Sequence, residues 1–173
     1  MLKSSFKQKQ DLGAKATSAD AAMDSLARLL VVRERSLKEA QDRLLEKGYE
    51  EHTVASALDR ALACGLLDDA RFAQTYIKGK LSAGWGQKRI ERELYRFGIA
   101  TEMIDGYPDD FFCEDEQVEQ ALEALKKHRS RSKNPKQAAY RYLIGKGYSS
   151  SVASSAVRAA SSANESEGYD TEH

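Results

Sequence analysis

The stretch SLKEAQDRLLEKG, residues 36–48, recurs as GQKRIERELYRFG at residues 86–98 and as PKQAAYRYLIGKG at residues 135–147. Each copy begins with a residue that suits the start of a helix, and each ends in a glycine that has a leucine four residues before it. The register holds across the copies without a gap, with spacings of 50 and 49 residues between Gly48, Gly98 and Gly147. Such spacing predicts a threefold structural repeat.

Within each copy the apolar residues recur at helical spacing. After the first copy, for example, Val54, Leu58 and Ala61 follow one another at four and three residues. Each repeat glycine stands between two amphipathic runs, which is typical of a left-handed C-cap, and no stretch shows a sustained strand-like alternation. We therefore predict nine short helices, at residues 20–33, 36–47, 51–64, 68–82, 86–97, 101–112, 115–130, 135–146 and 150–162.

The predicted fold is all-α, with three tandem three-helix repeats that form an elongated, curved body. The repeats span residues 20–66, 67–113 and 114–162. One unit of this size has too little apolar surface to be stable alone, so stacked units are expected to share a core. The N-terminal residues 1–19 and the acidic tail 163–173 lack apolar periodicity, and we predict that both are disordered.

The charge is sorted into blocks, although 27 Lys and Arg residues balance 27 Asp and Glu residues. Residues 71–96 hold seven basic residues against two acidic ones. Residues 102–123 hold nine acidic residues and no basic one, and residues 126–146 hold eight basic residues and no acidic one. Blocks like these create strong local fields and favour a polyanion or another charged partner. Any single block could equally be a solvated helix face.

Other features exclude several classes of protein. The longest uncharged apolar run, Leu29 to Val32, cannot span a bilayer, and no apolar segment follows the N-terminal lysines as a secretory signal requires. Cys64 and Cys113 form no spaced pair, so we expect a reduced, cytoplasmic setting with both thiols in the core. The three histidines are scattered, and no pairing of a nucleophile with a base has a recognisable sequence context. We expect no catalytic residue, no cofactor and no metal.

The segment GLLDDARFA, residues 65–73, joins the first copy to the second. Here Gly65 is predicted to end one helix and Asp68 to cap the next, with Asp69 near the positive end of that helix. Arg71 and Phe72 follow, and Phe72 is predicted to face inwards. Paired aspartates could instead form a metal or acid–base site, but no third carboxylate or histidine lies nearby in sequence, which favours capping.

The segment GWGQKRI, residues 84–90, opens the second copy. Gly84 and Gly86 could suggest a phosphate loop, yet no strand precedes them and no Walker lysine follows, so we predict a tight turn between helices. Trp85 is either a lid on the local core or an exposed anchor for a partner.

A basic ridge is predicted on the helix at residues 86–97. Arg89, Arg92 and Arg96 lie three and four residues apart and therefore share one side of this helix. Glu93, four residues after Arg89, is expected to neutralise part of the ridge. The alternative is a ridge that is solvated only.

Taken in order and spacing, these motifs resemble the RecX family. The matching residues are Arg33-Glu34-Arg35-Ser36 with Lys47-Gly48, then Gly65-Leu66-Leu67-Asp68-Asp69-x-Arg71-Phe72-Ala73, and then Gly84-x-Gly86-x-x-Arg89-Ile90-x-x-Glu93-Leu94-x-x-x-Gly98-Ile99. The resemblance covers about residues 22–160 and is densest over the second repeat. It is thinnest over the third repeat, and Ala40 departs from it because a leucine usually follows Glu39.

The resemblance implies a non-enzymatic regulator of the recombinase RecA, lodged in the groove of the RecA–DNA filament. Such proteins inhibit strand exchange, ATP hydrolysis and co-protease activity. The expected partners are RecA and its DNA filament, with weak binding to single- or double-stranded DNA, no membrane and a monomeric state. The alternatives are a basic helical nucleic-acid-binding module without a specific protein partner, and a helical adaptor for an unrelated acidic partner. The candidate contact residues are Arg33, Arg35, Lys78, Lys80, Lys88, Arg89, Arg92 and Arg96.

Overall fold

The computed structural model describes residues 17–128 and 132–167, with side chains as far as residue 162. Within these ranges the chain is helical and has no strand, which confirms the predicted all-α fold. A single 3-10 turn, Thr101–Met103, lies between the fifth and sixth helices. The α-helices of the described residues are α1 Ala19–Val32, α2 Leu37–Glu46, α3 Glu51–Ala63, α4 Asp69–Ser82, α5 Gln87–Arg96, α6 Glu114–Lys126, α7 Pro135–Lys146 and α8 Ser150–Glu167.

The prediction of a helix at residues 101–112 is wrong. After the 3-10 turn the chain passes through successive turns. Gly106 has φ 72°, a left-handed conformation that interrupts a helix, and Pro108 has no N–H to donate. Ile104 and Phe112 are nonetheless buried, so the apolar spacing predicted their burial correctly.

Two helix ends differ from the prediction by more than one residue. Helix α6 ends at Lys126 rather than residue 130, and α8 continues to Glu167 rather than ending at residue 162. The predictions for residues 1–16 and 168–173 fall outside the described part of the chain.

Ser36 and the repeat glycines act as caps, as predicted, and Asn134 is a further cap that the sequence analysis did not identify. The Ser36 hydroxyl accepts a hydrogen bond from Glu39 N at 3.1 Å, and the Asn134 side chain accepts one from Gln137 N at 3.1 Å, with Pro135 in the first turn of α7. All three repeat glycines have positive φ. Hydrogen bonds from residues just after a helix, such as Tyr148 N to Leu143 O at 3.1 Å, satisfy the last carbonyl groups of that helix.

Contacts divide the described residues into two compact units. The first contains residues 17–73 with Phe97–Ile99, and the second contains Gln74–Arg96 and the described residues from Ala100 onwards. In the first unit α1 and α2 pack on α3, and in the second α6 and α7 pack on α8. The repeat boundaries given above stay predictions. Fully buried apolar side chains centre the two cores, among them Leu26, Leu44 and Val54 in the first and Leu143, Tyr148 and Val152 in the second.

Both cysteines are exposed, so the prediction of buried thiols is wrong. Cys64 follows the last residue of α3, and Cys113 immediately precedes α6. At helix ends such as these a small side chain projects from the surface of the bundle. Among the described residues, every helix is too short or too polar to cross a membrane.

Candidate partner-binding surface

The aspartate pair between α3 and α4 caps helices. Asp68 Oδ1 accepts a hydrogen bond from Arg71 N at 2.9 Å, as the sequence predicted. Asp69 Oδ1 accepts one from Leu37 N at 2.7 Å, so Asp69 also caps α2, which the sequence did not predict. Burial raises the pKa of the Asp69 carboxyl, while the bond from Leu37 partly offsets that rise and the charge of Asp68 adds to it.

Arg71 and Phe72 hold the first unit together. Arg71 Nε donates to Glu34 Oε1 at 2.8 Å, and both terminal nitrogens of Arg71 lie 3.4 Å from the Gly65 carbonyl oxygen. Phe72 is buried and meets the edge of Phe97, with the ring centroids 5.2 Å apart. These motif residues therefore serve the fold rather than a binding site.

The two candidate arginines before α2 share one carboxylate. Arg35 Nη1 lies 2.5 Å from Glu39 Oε1, and Arg33 Nη1 lies 2.9 Å from Glu39 Oε2. The Arg35 side chain is only 10% exposed and also donates to the Leu29 carbonyl, whereas Arg33 is half exposed. Arg35 is therefore a structural residue, and Arg33 is the accessible member of the pair.

The glycine-containing turn before α5 docks onto the end of α7. Gly86 N donates to Lys146 O and Lys88 N donates to Gly147 O, each at 3.0 Å. A Cβ atom on Gly86 would lie 2.3 Å from Gly147 C, and one on Gly147 would lie 2.4 Å from Arg89 Cβ. The N–H groups at the start of α5 thus donate hydrogen bonds to the carbonyl groups at the end of α7. The segment forms a tight turn, as predicted. Its packing against the end of α7 was not predicted, and it uses these N–H groups so that they cannot bind phosphate.

Trp85, which precedes this contact, makes cation–π contacts with two cations. The Arg89 guanidinium carbon is 3.7 Å from the Trp85 ring centroid, and Lys80 Nζ is 4.4 Å from it. Lys80 Nζ also lies 5.0 Å from the ring centroid of Tyr76. We call Tyr76, Lys80, Trp85 and Arg89 the basic–aromatic cluster. Cation–π contacts fix both positive charges at one place on the second unit, so Trp85 acts as a support for cations.

The surroundings of Tyr76, at the edge of the cluster, shift the pKa of its hydroxyl. Burial raises the pKa of the Tyr76 hydroxyl, the carboxylate of Glu93 adds to the rise, and the nearby guanidinium of Arg89 opposes it. Tyr76 therefore stays a neutral ring beside Lys80 at neutral pH.

The outer face of α5 carries the remaining candidates on that helix. Lys88, Arg92 and Arg96 are exposed, and Arg92 Nε donates to the Lys88 carbonyl at 3.2 Å. Glu93 pairs with Arg96 at 3.0 Å and so neutralises part of the ridge, as expected. Lys78, on α4, is also exposed. The structure thus places most of the predicted ridge in solvent.

Two exposed apolar residues were missed by the sequence reasoning. Tyr95 on α5 is 82% exposed, and Met103 in the 3-10 turn, which packs against α5, is 73% exposed. A signal for Tyr95 was present, because it lies off the buried stripe of Ile90 and Leu94 and between two arginines of the ridge. We call Lys88, Arg92, Tyr95, Arg96 and Met103 the α5 surface.

A cleft of about 760 Å³ lies in the second unit, between the end of α4 and helices α6 and α7. Its walls carry Glu116, Glu119 and Glu123, opposed by Lys127 and Lys146. Because these charges are mixed, the cleft selects neither an anion nor a cation. Neither in this cleft nor in any other part of the described ranges are three His, Cys, Asp or Glu side chains placed to hold a metal ion.

Comparison with known proteins gives consistent matches. The model of the first RecX three-helix domain matches residues 22–60, and that of the second matches residues 68–106. Regulatory protein RecX of Legionella pneumophila (strain Corby) is 33% identical over 137 residues, which cover 77% of this chain and 90% of that protein. Regulatory protein RecX of Clostridium perfringens (strain SM101) is 32% identical over 127 residues, which cover 70% of this chain and 59% of the relative.

Solved structures show the same fold. RecX from Lactobacillus salivarius superposes with a TM-score of 0.69 at 19% identity, covering 81% of this chain and 94% of that one. A second structure, of regulatory protein RecX, also has a TM-score of 0.69, at 26% identity, covering 78% and 70%. The chain thus spans less than two thirds of some curated relatives, such as the clostridial one, but nearly all of the Legionella protein. The identities, the coverage and the two domain matches show that this chain is a member of the RecX family of regulatory proteins.

Proposed function

We propose that this chain binds RecA and RecA–DNA filaments and inhibits their recombinase, ATPase and co-protease activities, thereby modulating DNA repair and recombination. It acts without catalysis, by occupying the filament. The basic–aromatic cluster together with the exposed cations of the α5 surface is the observation that carries this proposal. Family membership supplies the regulatory role.

The basic–aromatic cluster suits binding to a filament because its cations are already positioned by Trp85 before a partner binds. Lys80 and Arg89 rest on Trp85, so less side-chain entropy is lost when they meet a negative partner. Lys88 and Arg92 continue the positive charge along α5. DNA in a filament offers phosphates, which bind such cations with release of counterions.

The candidates divide by accessibility in this proposal. Lys78, Lys80, Lys88, Arg89, Arg92 and Arg96 are contact residues. Arg33 has a lesser role, and Arg35 supports α2 instead. The free thiols of Cys64 and Cys113 fit a reducing cytoplasm, where the recombinase works.

The test measures DNA-dependent ATP hydrolysis by RecA on single-stranded DNA. Substoichiometric wild-type protein is expected to slow hydrolysis, and the triple variant Lys88→Ala/Arg92→Ala/Arg96→Ala is expected to lose most of this inhibition. Each lost phosphate contact should also lower the salt slope of filament binding by about one unit.

A matched control removes three exposed cations elsewhere, with Arg43→Ala/Lys47→Ala/Arg60→Ala. Exposed ion pairs contribute about 0–1 kcal/mol, so both triple variants should stay folded, with similar thermal midpoints. Wild-type protein that fails to inhibit when equimolar with RecA would contradict the proposed function. Equal loss in both triple variants would exclude the α5 surface as the contact.

A second candidate function is binding to nucleic acid without a protein partner. The stacked cations and rings of the basic–aromatic cluster favour it, since this chemistry also binds single strands. The two functions are separated by binding to RecA in the absence of DNA, which only the first requires.

A further inference from the structure

The start of α5 packs against the end of α7 at the base of the Arg89 side chain. Arg89, in the first turn of α5, is one of the two cations over the Trp85 ring. Gly147, which follows α7, is buried. A Cβ atom added to Gly147 would lie 2.6 Å from Arg89 N and would also clash with Arg89 Cβ. Gly147 therefore leaves room only for the first atoms of Arg89.

Two hydrogen bonds hold the same segment of α5. Gly86 N donates to Lys146 O, and Lys88 N donates to Gly147 O, each at 3.0 Å. Together with the packing contact at Arg89, these bonds attach residues 86–89 to the end of α7. The direction of the Arg89 Cα–Cβ bond is thereby fixed, and this direction determines where the guanidinium can lie.

The corresponding glycine of the first repeat has no such contact. Gly48 has φ 87°, close to the 95° of Gly147, so both positions favour glycine for their left-handed backbone. Gly48 is exposed, however, and nothing lies within 4 Å of a Cβ atom added to it. The left-handed cap therefore explains a glycine at both positions, but it does not explain the close packing of Gly147 on Arg89.

We infer that Gly147 is a positioning residue for the basic–aromatic cluster. By packing against Arg89 it keeps the guanidinium over the Trp85 ring, so that the end of α7 contributes to partner binding through Arg89. The consequence for binding rests on the proposed function, whereas the placement of Arg89 does not.

This role implies a loss of affinity without a loss of charge. An Arg89 side chain that is free to change rotamer must be immobilised when a polyanion binds, which weakens binding roughly threefold to tenfold. The salt slope depends on the number of phosphates neutralised, and a glycine substitution removes no cation. Gly147→Ala should therefore lower affinity for RecA–single-stranded DNA filaments and keep the salt slope. Arg89→Ala should lower both, the slope by about one unit.

The position of Arg89 can be measured directly, because Trp85 is the only tryptophan of the chain. The fluorescence emission of its ring depends on the groups that contact it. Gly147→Ala should shift the emission in the same direction as Arg89→Ala, which removes one stacked cation altogether. The matched control is Gly48→Ala, which introduces left-handed strain where a Cβ atom has open space. It should lower the thermal midpoint but keep the emission and the filament affinity of the wild type.

A measurement on the wild-type protein covers the case in which Gly147→Ala does not fold. The N–H groups at the start of a helix have no intrahelical partner, so they normally exchange rapidly with solvent. Because Gly86 N and Lys88 N donate to carbonyl groups of the α7 end, we expect both amides to exchange slowly. Rapid exchange at both would show that α7 does not hold the start of α5, which would overturn the inference.

Two results with the variants would also contradict it. The first is a folded Gly147→Ala protein whose Trp85 emission or filament affinity matches the wild type. The second is an equal change of emission in Gly48→Ala, which would reflect a general loss of stability. If the wild-type protein does not bind filaments, the proposed function fails, while the emission of Trp85 and the exchange of Lys88 still decide whether α7 positions Arg89.

Discussion

At the scale of single residues, Asp69 shows how one side chain joins two helices. It is the first residue of α4, yet its carboxylate accepts the N–H of Leu37, the first residue of α2. A carboxylate in this position gains a hydrogen bond but loses part of its hydration, and the loss is the larger effect on its pKa, which is raised. The hydrogen-bond acceptor of Asp69 therefore contributes more to the stability of this cap than its negative charge does.

We predict that Asp69→Ala lowers the free energy of unfolding by about 1 kcal/mol, the usual cost of a lost cap. Asp69→Asn keeps an oxygen acceptor and should be at least as stable as the wild type at pH 7. The raised pKa means that the folded state holds the proton more tightly, so the contribution of Asp69 to stability falls as pH rises through its folded pKa. The difference between the Asn variant and the wild type should thus shrink as pH falls through the folded pKa, and it should be smallest below about pH 3.8, the ordinary value.

Urea unfolding curves from pH 3 to pH 7 measure these differences. A wild-type protein that gains stability relative to Asp69→Asn as pH rises would show that the ionised cap is favourable, contrary to this prediction.

At the scale of elements, the junction between α5 and α7 depends on the absence of two side chains. Gly86 and Gly147 let the start of one helix reach the end of the other, so that donors and acceptors left over at helix ends satisfy each other. The helix dipoles also meet with opposite partial charges.

We predict that Gly86→Ala destabilises the protein by about 2 kcal/mol or more, because its Cβ would meet backbone atoms of Gly147 and Tyr148 that cannot rotate away. Gly79→Ala is the matched control. Gly79 lies inside α4 with open space around a new Cβ, so alanine there should stabilise by about 0.5–1 kcal/mol. Urea unfolding followed by circular dichroism measures both changes. Similar effects of the same sign in the two variants would exclude the junction as their cause.

The helices were predictable because their signals are local. The caps at Ser36 and Asn134 and the repeat glycines bond to backbone groups only a few residues away. The helical spacing of the apolar residues identified the buried positions. The 101–112 segment was not predicted correctly, because the same apolar spacing occurs there around Gly106 and Pro108, which interrupt the helix. Partners far apart in sequence were not predictable either. No local pattern encodes the hydrogen bond between Asp69 and Leu37, or the placement of Lys80 and Arg89 over the Trp85 ring.

At the scale of the whole molecule, a net charge of zero coexists with segregated charge. The block of residues 71–96 carries the basic–aromatic cluster and the ridge, and the acidic block begins at Glu102, directly after α5. We expect the second block to weaken the attraction of the first for any polyanion. Under the proposed function, binding to free DNA would then be held down while a filament that offers protein contacts would still be bound.

The last prediction tests this balance. Neutralising the acidic neighbours of Met103 with Glu102→Gln/Asp105→Asn/Asp109→Asn should raise affinity for free DNA about threefold to tenfold at low salt, because repulsion within a Debye length is removed. The gain should vanish near 1 M salt, where the Debye length is about 3 Å. Fluorescence anisotropy of labelled single-stranded DNA across a salt series measures it.

The control variant makes the same change of net charge on α1 and α3, with Asp24→Asn/Glu51→Gln/Asp59→Asn. It should have a smaller effect, since local fields and not total charge govern contact with phosphates. An equal gain in both variants would show that net charge alone sets DNA affinity and that the acidic block has no local role. A gain in DNA affinity without a gain in filament affinity would show that the acidic block directs this chain away from bare DNA and towards the protein-coated strand.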